Sequence, residues 1–358
     1  RIRFTSSSIN LPRDPRSIAK RGSRALFSVH ATENTANEST RLVRTYHCTL
    51  TDEALIHLRG SNIAGFLQGQ LTCDTRTVTA TQSLRGALCN AKGRVLADVR
   101  IVQLAEDHLV LRLRRSIAED CAATLATYAR FSRIDCTADT GQWSVIALWG
   151  PHSTHSARVL GLTAPEEPNA VAGDSAVCCR HSAEALEILA PREEEDALTA
   201  ALRAMPEITE GSADAWDALE ISSGLYRIDR EDVGEFTPQA INYDLAGLVS
   251  FTKGCYTGQE VIARLHYRGQ SKRRLGIFTP VNPDAVSADA HLRGEPVVDA
   301  SGERVGELLR AARTPDGQSV LACQLRAELA DSPNLLLAGT PLRPLPTPYP
   351  AAETGAAG

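Results

Sequence analysis

The sequence predicts an α+β fold with antiparallel or mixed sheets, followed by a small all-β unit, on three observations. Strand-like and helix-like stretches interleave from Tyr46 to Leu275 without the even strand–helix–strand rhythm of a doubly wound parallel sheet. From Gly276 the pattern changes to short β-runs, Pro296–Val298, Arg304–Leu309 and Ser319–Leu325, separated by turn residues. A chain of 358 residues with 43 % apolar and 23 % charged side chains suits two or three packed units rather than one ordinary domain. The divisions expected are 1–44 for a disordered basic leader, 45–160 and 161–275 for two α+β units, 276–345 for the β-unit and 346–358 for a disordered tail.

Order begins near Tyr46. Ala54, Ile56 and Leu58 alternate as a strand, and Gly60-Ser61 punctuates it. Ile63, Phe66, Leu67 and Leu71 then recur at helical spacing, with Ser61 as the expected N-cap. A second strand shows Val95, Ala97, Val99 and Ile101 on one face and Arg94, Leu96, Asp98 and Arg100 on the other. Leu109, Leu111 and Leu113 mark a third. Ser116 and Glu119 have the spacing of a capping box for a helix whose apolar face is Ile117, Cys121, Leu125 and Tyr128. Strands are expected around Ile134, from Trp143 to Trp149 and from Leu186 to Leu189, with a loop from Gly161 to Gly173 and a charged helix after Pro191.

Composition narrows the function classes. A formal charge of −5 and a pI near 6.0 argue against a protein that coats nucleic acid over its whole surface. No apolar run approaches the roughly 20 residues that span a bilayer. The nine cysteines are scattered, odd in number and lack a C-x-x-C pair, unlike a disulfide framework, a zinc site or a cluster-ligand array. A reducing cytoplasm fits this usage, and any iron–sulfur connection would run through a partner or a single thiol. The Arg- and Ser-rich start, with Asp14 its only acid before Glu33, also has the composition of a mitochondrial transit peptide, which makes the matrix the alternative location. Neither a P-loop nor G-x-G-x-x-G is present, so nucleotide hydrolysis and dinucleotide binding have no support.

The sharpest stretch is Phe251-Thr-Lys-Gly-Cys-Tyr-Thr-Gly-Gln-Glu260. Gly254 and Gly258 free the backbone for turns, and a helix is expected to begin after Gly258 with Val261, Ile262 and Leu265 as its apolar face. Cys255 then lies near a helix N-terminus with Lys253 two residues away, and both the dipole and the ammonium would favour a thiolate. Gln259 and Glu260 are placed to cap the first turn. The plain alternative is a turn whose cysteine fills a small apolar hole. The basic run Arg264, His266, Arg268, Lys272, Arg273, Arg274 reads either as a solvated helix end or as a local anion site.

Lys253-Gly-Cys-Tyr-Thr-Gly-Gln-Glu260, followed by Arg268-Gly-Gln-Ser-Lys-Arg-Arg274, resembles the signature of YgfZ-type folate-binding proteins in the superfamily of the glycine-cleavage aminomethyltransferases (the T-protein). Glu235–Asp244, Phe66–Thr72 and Cys89–Arg94 are similar to other motifs of that family, and the resemblance runs from about Val43 to Leu342. It implies a tetrahydrofolate-binding fold of two ferredoxin-like α+β units and a small C-terminal β-barrel around a central pocket. It also implies an accessory role for iron–sulfur enzymes, including those that methylthiolate tRNA. By the same resemblance Cys255 is the working thiol with Lys253 beside it. The folate would be held by Asp98, Phe66, Gln68, Asn90, Tyr256, Gln259, Glu260 and Arg264, and no metal ligand is implied.

The partners expected are iron–sulfur enzymes or cluster carriers, folate, and RNA phosphates touched by Arg268–Arg274, with no membrane and a monomeric chain. Two departures from the aminomethyltransferase pattern bear on catalysis. Ala97-Asp98 stands where the superfamily has paired Asp residues, and Asp98 by itself reads as a partner for Arg100 on the same strand face. Glu220 stands where an Arg would grip folate carboxylates, with Arg227 or Arg230 as possible substitutes. The leading expectation is therefore an accessory protein rather than a transferase. The alternatives are a tetrahydrofolate-dependent aminomethyl- or methyltransferase, and a partner- or RNA-binding protein that kept the fold without the ligand.

Overall fold

The computed structural model describes residues 44–139, 141–282 and 293–349. The expected leader, apart from Arg44, and the tail beyond Tyr349 lie outside the described residues. The chain opens with β1 (Thr45–Thr49), β2 (Glu53–Arg59) and the short α1 (Ile63–Gln68). An antiparallel meander of β3 (Leu84–Cys89), β4 (Val95–Ala105) and β5 (His108–Arg114) leads into α2 (Arg115–Ala129), β6 (Asp135–Ala138) and β7 (Trp143–Trp149). Next come α3 (Ser153–Val159), β8 (Val171–Gly173), β9 (Val177–Ser182), β10 (Ala185–Pro191), α4 (Arg192–Arg203), β11 (Ile208–Glu210) and α5 (Ala213–Ser222). A turn-rich stretch carries the chain to α6 (Gln259–Arg268). The last strands are β12 (Arg273–Pro280), β13 (Pro296–Asp299), β14 (Arg304–Arg313), β15 (Ser319–Arg326), β16 (Leu335–Leu337) and β17 (Thr340–Pro344).

These strands make three sheets. One is five-stranded in the order β3-β4-β5-β2-β6, and a second is six-stranded in the order β11-β1-β7-β10-β9-β8. Pairing in both is antiparallel except between β1 and β11. The third is a closed barrel, β12-β15-β14-β13-β16-β17, and closure leaves it no free edge. The fold is thus α+β with a C-terminal barrel.

Alternation along the strands fixes which face is buried against what. Ala54, Ile56 and Leu58 of β2, with Leu109, Leu111 and Leu113 of β5, pack on Ile117, Cys121 and Leu125 of α2. Each such fully buried aliphatic side chain contributes about 1.5–3 kcal/mol. The opposite face carries Leu55, Val102 and Val110, which share a cluster with Val145, Val177 and Leu189 of the six-stranded sheet. The two sheets therefore cover each other. Tyr226, Ile262, and the barrel residues Ile277 and Val320 belong to the same core as Leu113, so one continuous core crosses positions 160 and 275.

Local details differ from the sequence reading for physical reasons. The Ser116 hydroxyl donates to the Asp229 carboxylate, so it ties α2 to a distant loop instead of closing a capping box. Tyr128 is exposed, and Ala118 and Ala122 complete the apolar face of α2 in its place. Asn62, in the left-handed region at φ 57°, precedes α1 where Ser61 was expected as N-cap. The expected loop from Gly161 to Gly173 ends in β8. Tyr349 sits inside the stretch expected as a disordered tail, yet it is buried, and its hydroxyl donates to the Gly224 carbonyl at 2.8 Å.

Candidate functional site

Between the turn-rich stretch and α6, residues 251–258 fold back over α1 and the β3–β4 turn. Gly258 has φ +83°, and a Cβ there would stand 2.4 Å from the Asn90 carbonyl oxygen. That contact requires glycine. Asn90 holds its own turn, its Oδ1 accepting the Lys92 and Arg94 N–H groups at 2.9 and 3.1 Å. Gln259 closes the loop by accepting the Tyr256 N–H at 3.3 Å. Gly258, not a side chain, occupies the N-cap of α6, and Glu260 and Arg264 are exposed along the helix.

Lys253 faces away from the thiol that the sequence reading gave it to activate. Its Nζ donates to the carbonyls of Gln68, Leu71 and Cys73 at 2.7, 2.6 and 2.8 Å, and lies 4.8 Å from the centre of the Tyr256 ring. All three ammonium protons are thereby committed to backbone carbonyls, one on the last residue of α1 and two in the turn that follows it. Burial draws the Lys253 ammonium down to about 8. Cys255 is the exposed cysteine of the chain's nine; the others are buried or, for Cys136, half-buried. Phe66 and Tyr256 belong to the hydrophobic core. The Gln68 Oε1 accepts both the N–H and the hydroxyl of Thr75 at 2.9 Å. The fold thus gathers Lys253, Cys255, Tyr256 and Gln259 with Phe66, Gln68 and Asn90 as one packed loop system, and it leaves Asp98 elsewhere.

Asp98 lies on the inner face of β4 within a buried ionic lattice. One of its carboxylate oxygens accepts from Arg227 Nε, and the other accepts the Ile228 N–H at 2.8 Å. Arg100, its expected partner, pairs instead with Glu187 of β10 at 3.1 Å. Arg227 also meets Glu220 at 3.0 Å and Glu53 at 3.2 Å. Arg112 reaches Glu53 at 2.9 Å and Glu220 at 3.4 Å. Arg114 joins Glu53, Asp52 and Asp217, and Arg310 of the barrel meets Asp217 at 2.9 Å. Glu220, found where an anion-gripping Arg was the family pattern, therefore faces inward and orients Arg227. Burial alone would raise the Glu220 carboxyl, but Arg227 and Arg112 hold it well below its ordinary range. Glu187 behaves likewise under Arg100 and Arg112.

The lattice surfaces at a cavity of about 670 Å³ bounded by Arg85, Asn169, His181, Ser222, Ser223 and the apolar Leu225 and Leu248, with Pro346 and Pro348 at its edge. The Arg85 side chain is 17 % exposed there. Burial, with Arg100 nearby, pulls its guanidinium down to about 9, against Glu187 and Glu220 at 3.7 and 4.0 Å. Burial and Arg85 draw His181 down to about 4, which leaves the ring neutral at pH 7. His181 Nδ1 lies 2.6 Å from Arg85 Nη2 and 3.3 Å from Glu187 Oε1, so the ring sits between the guanidinium and the carboxylate. Trp216 holds that ring edge-on at 5.0 Å. His181, Glu187 and Glu220 lie close enough together to suggest a metal site. Arg85, Arg112 and Arg227 already surround these groups, however, and would repel a cation.

Sequence reasoning missed Arg85, His181 and the lattice. The signal was present in Arg112 and Arg114 alternating with leucines on β5, and in Glu187 set between Leu186 and Ile188. A charge inside an apolar run marks a buried pair once a second sheet covers it.

This arrangement, two facing sheets joined by an ionic core and flanked by a barrel, defines a protein of the aminomethyltransferase fold. Glycine cleavage system aminomethyltransferase T from Bartonella henselae superposes with a TM-score of 0.70 at 18 % identity, over 85 % of each chain. Residues 28–166 match the GCVT N-terminal domain family. The chain belongs to the YgfZ family: it is 32 % identical over 276 residues to the tRNA-modifying protein YgfZ of Escherichia coli O157:H7, covering 76 % of this chain and 83 % of that one. The tRNA-modifying protein YgfZ of Shigella boydii serotype 4 is similar at 32 % over the same shares. Among the described residues no helix is long and apolar enough to cross a membrane.

Proposed function

We propose that this chain is a tetrahydrofolate-binding accessory protein of the cytoplasm that assembles or maintains iron–sulfur enzymes and so acts indirectly on tRNA modification. The observation that carries the reading is the cavity at Arg85 and His181. Its volume of about 670 Å³ falls within the range typical of small-molecule sites. Leu225, Leu248 and the prolines offer flat apolar walls for a fused ring and an aryl group. Arg85, Asn169, Ser222 and Ser223 offer polar contacts at the edges, and Arg85 is suited to a ligand carboxylate. The donor set fits a folate.

Aminomethyl transfer is disfavoured because Asp98 already bonds Arg227 and the Ile228 N–H, which removes its carboxylate from proton transfer to a ligand. Cys255, exposed on the motif loop, is the group left to meet a cluster, a partner thiol or a one-carbon unit.

The test is a calorimetric titration of the full chain with tetrahydrofolate, comparing wild type with Arg85→Gln at matched melting temperature. Saturable binding that weakens by roughly tenfold or more in the variant is expected, from loss of a charged hydrogen bond. No binding by wild type removes folate from the reading. Cys255→Ser should bind folate like wild type yet fail to restore iron–sulfur enzyme activity in cells lacking the protein. Full restoration would remove the thiol.

A further inference from the structure

A groove apart from the folate cavity carries unspent positive charge. Its hollow, about 730 Å³, is lined by Lys92 and Arg94 of the β3–β4 turn, Arg264 and Arg268 of α6, and Lys272 and Arg273 at the entry to β12. All six are exposed. A second hollow of about 580 Å³ shares Lys272 and Arg273 and continues to Arg326, which is paired with Glu303, so the two form one track. None of the track's lining is shared with the cavity at Arg85.

Most of this charge has no internal use. Arg94 donates to the Glu235 carbonyl at 2.5 Å and Arg273 to the Val305 carbonyl at 2.9 Å. The side chains of Lys92, Arg264, Arg268 and Lys272 have neither a hydrogen bond nor an ion pair among the described residues. Glu307, on the barrel wall, is neutralised by Arg304 at 2.6 Å. The carboxylates of Glu235 and Glu328 flank the two ends. Arg264 and Arg268 stand about one helical turn apart, about 6 Å along the axis, and the chain then turns to present Lys272. Holding so many like charges together on a protein of net charge −5 costs self-repulsion, which an extended polyanion would relieve.

We propose that this track binds the phosphate backbone of single-stranded RNA without reading its bases. The lining favours a nucleic acid strand over an acidic polypeptide. Its apolar members Val261 and Leu265 are aliphatic and Phe236 is buried, so the track offers no aromatic anchor of the kind that dominates protein interfaces. With no exposed ring in the lining, and the exposed Tyr267 set outside it against Phe251 and His266, the track offers phosphate contacts, which are sequence-independent and steeply salt-dependent.

The experiment is fluorescence anisotropy of the full chain with a labelled mixed-sequence RNA of about 20 nucleotides across a salt series. Four free cations at roughly 0.7 counterions each predict a slope of log affinity against log salt near −3. Arg264→Gln/Arg268→Gln/Lys272→Gln should bring the slope to about −1 and weaken low-salt binding at least tenfold, and Arg268→Gln alone should stop near −2. Arg158→Gln, at an exposed arginine outside the track, should leave both unchanged. Absence of RNA binding at low salt, or an unchanged slope in the triple variant, overturns the proposal. So does poly-L-glutamate displacing the RNA as well, charge for charge, as unlabelled RNA; that result would assign the track to an acidic polypeptide. Either result leaves the folate reading untouched, since calorimetry at the other cavity decides that one.

Discussion

At the end of α1 three carbonyl oxygens converge on the ammonium of Lys253. A buried acceptor without a donor costs about 1–3 kcal/mol, and water reaches this pocket poorly because Tyr256 covers it. Lys253→Met keeps the length of the side chain and removes all three protons. The variant should lose about 2–4 kcal/mol in urea unfolding, and amide exchange should quicken across residues 251–258. Unchanged stability would mean that those carbonyls find other partners and that Lys253 is free to serve the thiol. The loop around Cys255 was legible in the sequence, because Gly254 and Gly258 frame it; its exposure was not, since a turn can equally tuck a cysteine into an apolar hole. The direction of Lys253 was not, since its acceptors lie more than 180 positions earlier, at Leu71 and Gln68.

At the scale of elements, α6 owes its seat to one glycine. Gly254 and Gly258 look equivalent in the sequence, yet their surroundings differ. Nothing lies within 4 Å of a Cβ built on Gly254, whereas one on Gly258 would meet the Asn90 carbonyl oxygen at 2.4 Å with φ at +83°. Gly258→Ala should therefore destabilise the chain by more than about 2 kcal/mol and separate the β3–β4 turn from α6. Gly254→Ala should stay within about 0.5 kcal/mol. Denaturant midpoints for the pair check this, and equal shifts would contradict the packing described. Strand periodicity was readable in the five-stranded sheet because its face toward α2 is uniformly apolar, while Arg100, Arg112 and Arg114 interrupt the other. The supposed capping box failed because the Ser116 hydroxyl is captured by Asp229, 113 residues away. Spacing alone does not reveal such a competitor.

Across the whole molecule, the apolar core that joins the three sheets encloses a lattice of charges where they meet. Glu53, Asp98 and Arg112 come from the five-stranded sheet, Glu187 from the six-stranded sheet and Arg310 from the barrel, with Arg227 and Glu220 between them. The family and the barrel were legible in contiguous motifs. The lattice was not, because its pairs join residues about 100 positions apart, such as Arg112 and Glu220. The resemblance implied a folate held by Asp98; in the structure that carboxylate bonds Arg227 and the Ile228 N–H, and the cavity at the edge of the lattice is bounded by Arg85.

The lattice also sets the pH response. Glu220 and Glu187 are held well below their ordinary value of 4.5 in the folded chain. As pH falls through 4.5 the unfolded chain takes up these protons first, so the two groups make folding stability drop from about pH 5 downward, opposed by Glu53, whose carboxyl burial raises. Glu220→Gln leaves Arg227 and Arg112 short of a counter-charge and should cost about 3–5 kcal/mol at pH 7. It also removes one of these two depressed carboxyls of the lattice. Urea midpoints measured from pH 7 to pH 3 should therefore start lower in the variant and fall less steeply than in wild type. Parallel curves would show that Glu220 carries no such shift, and would leave Asp98 and Glu53 as the anions that hold Arg227 in place.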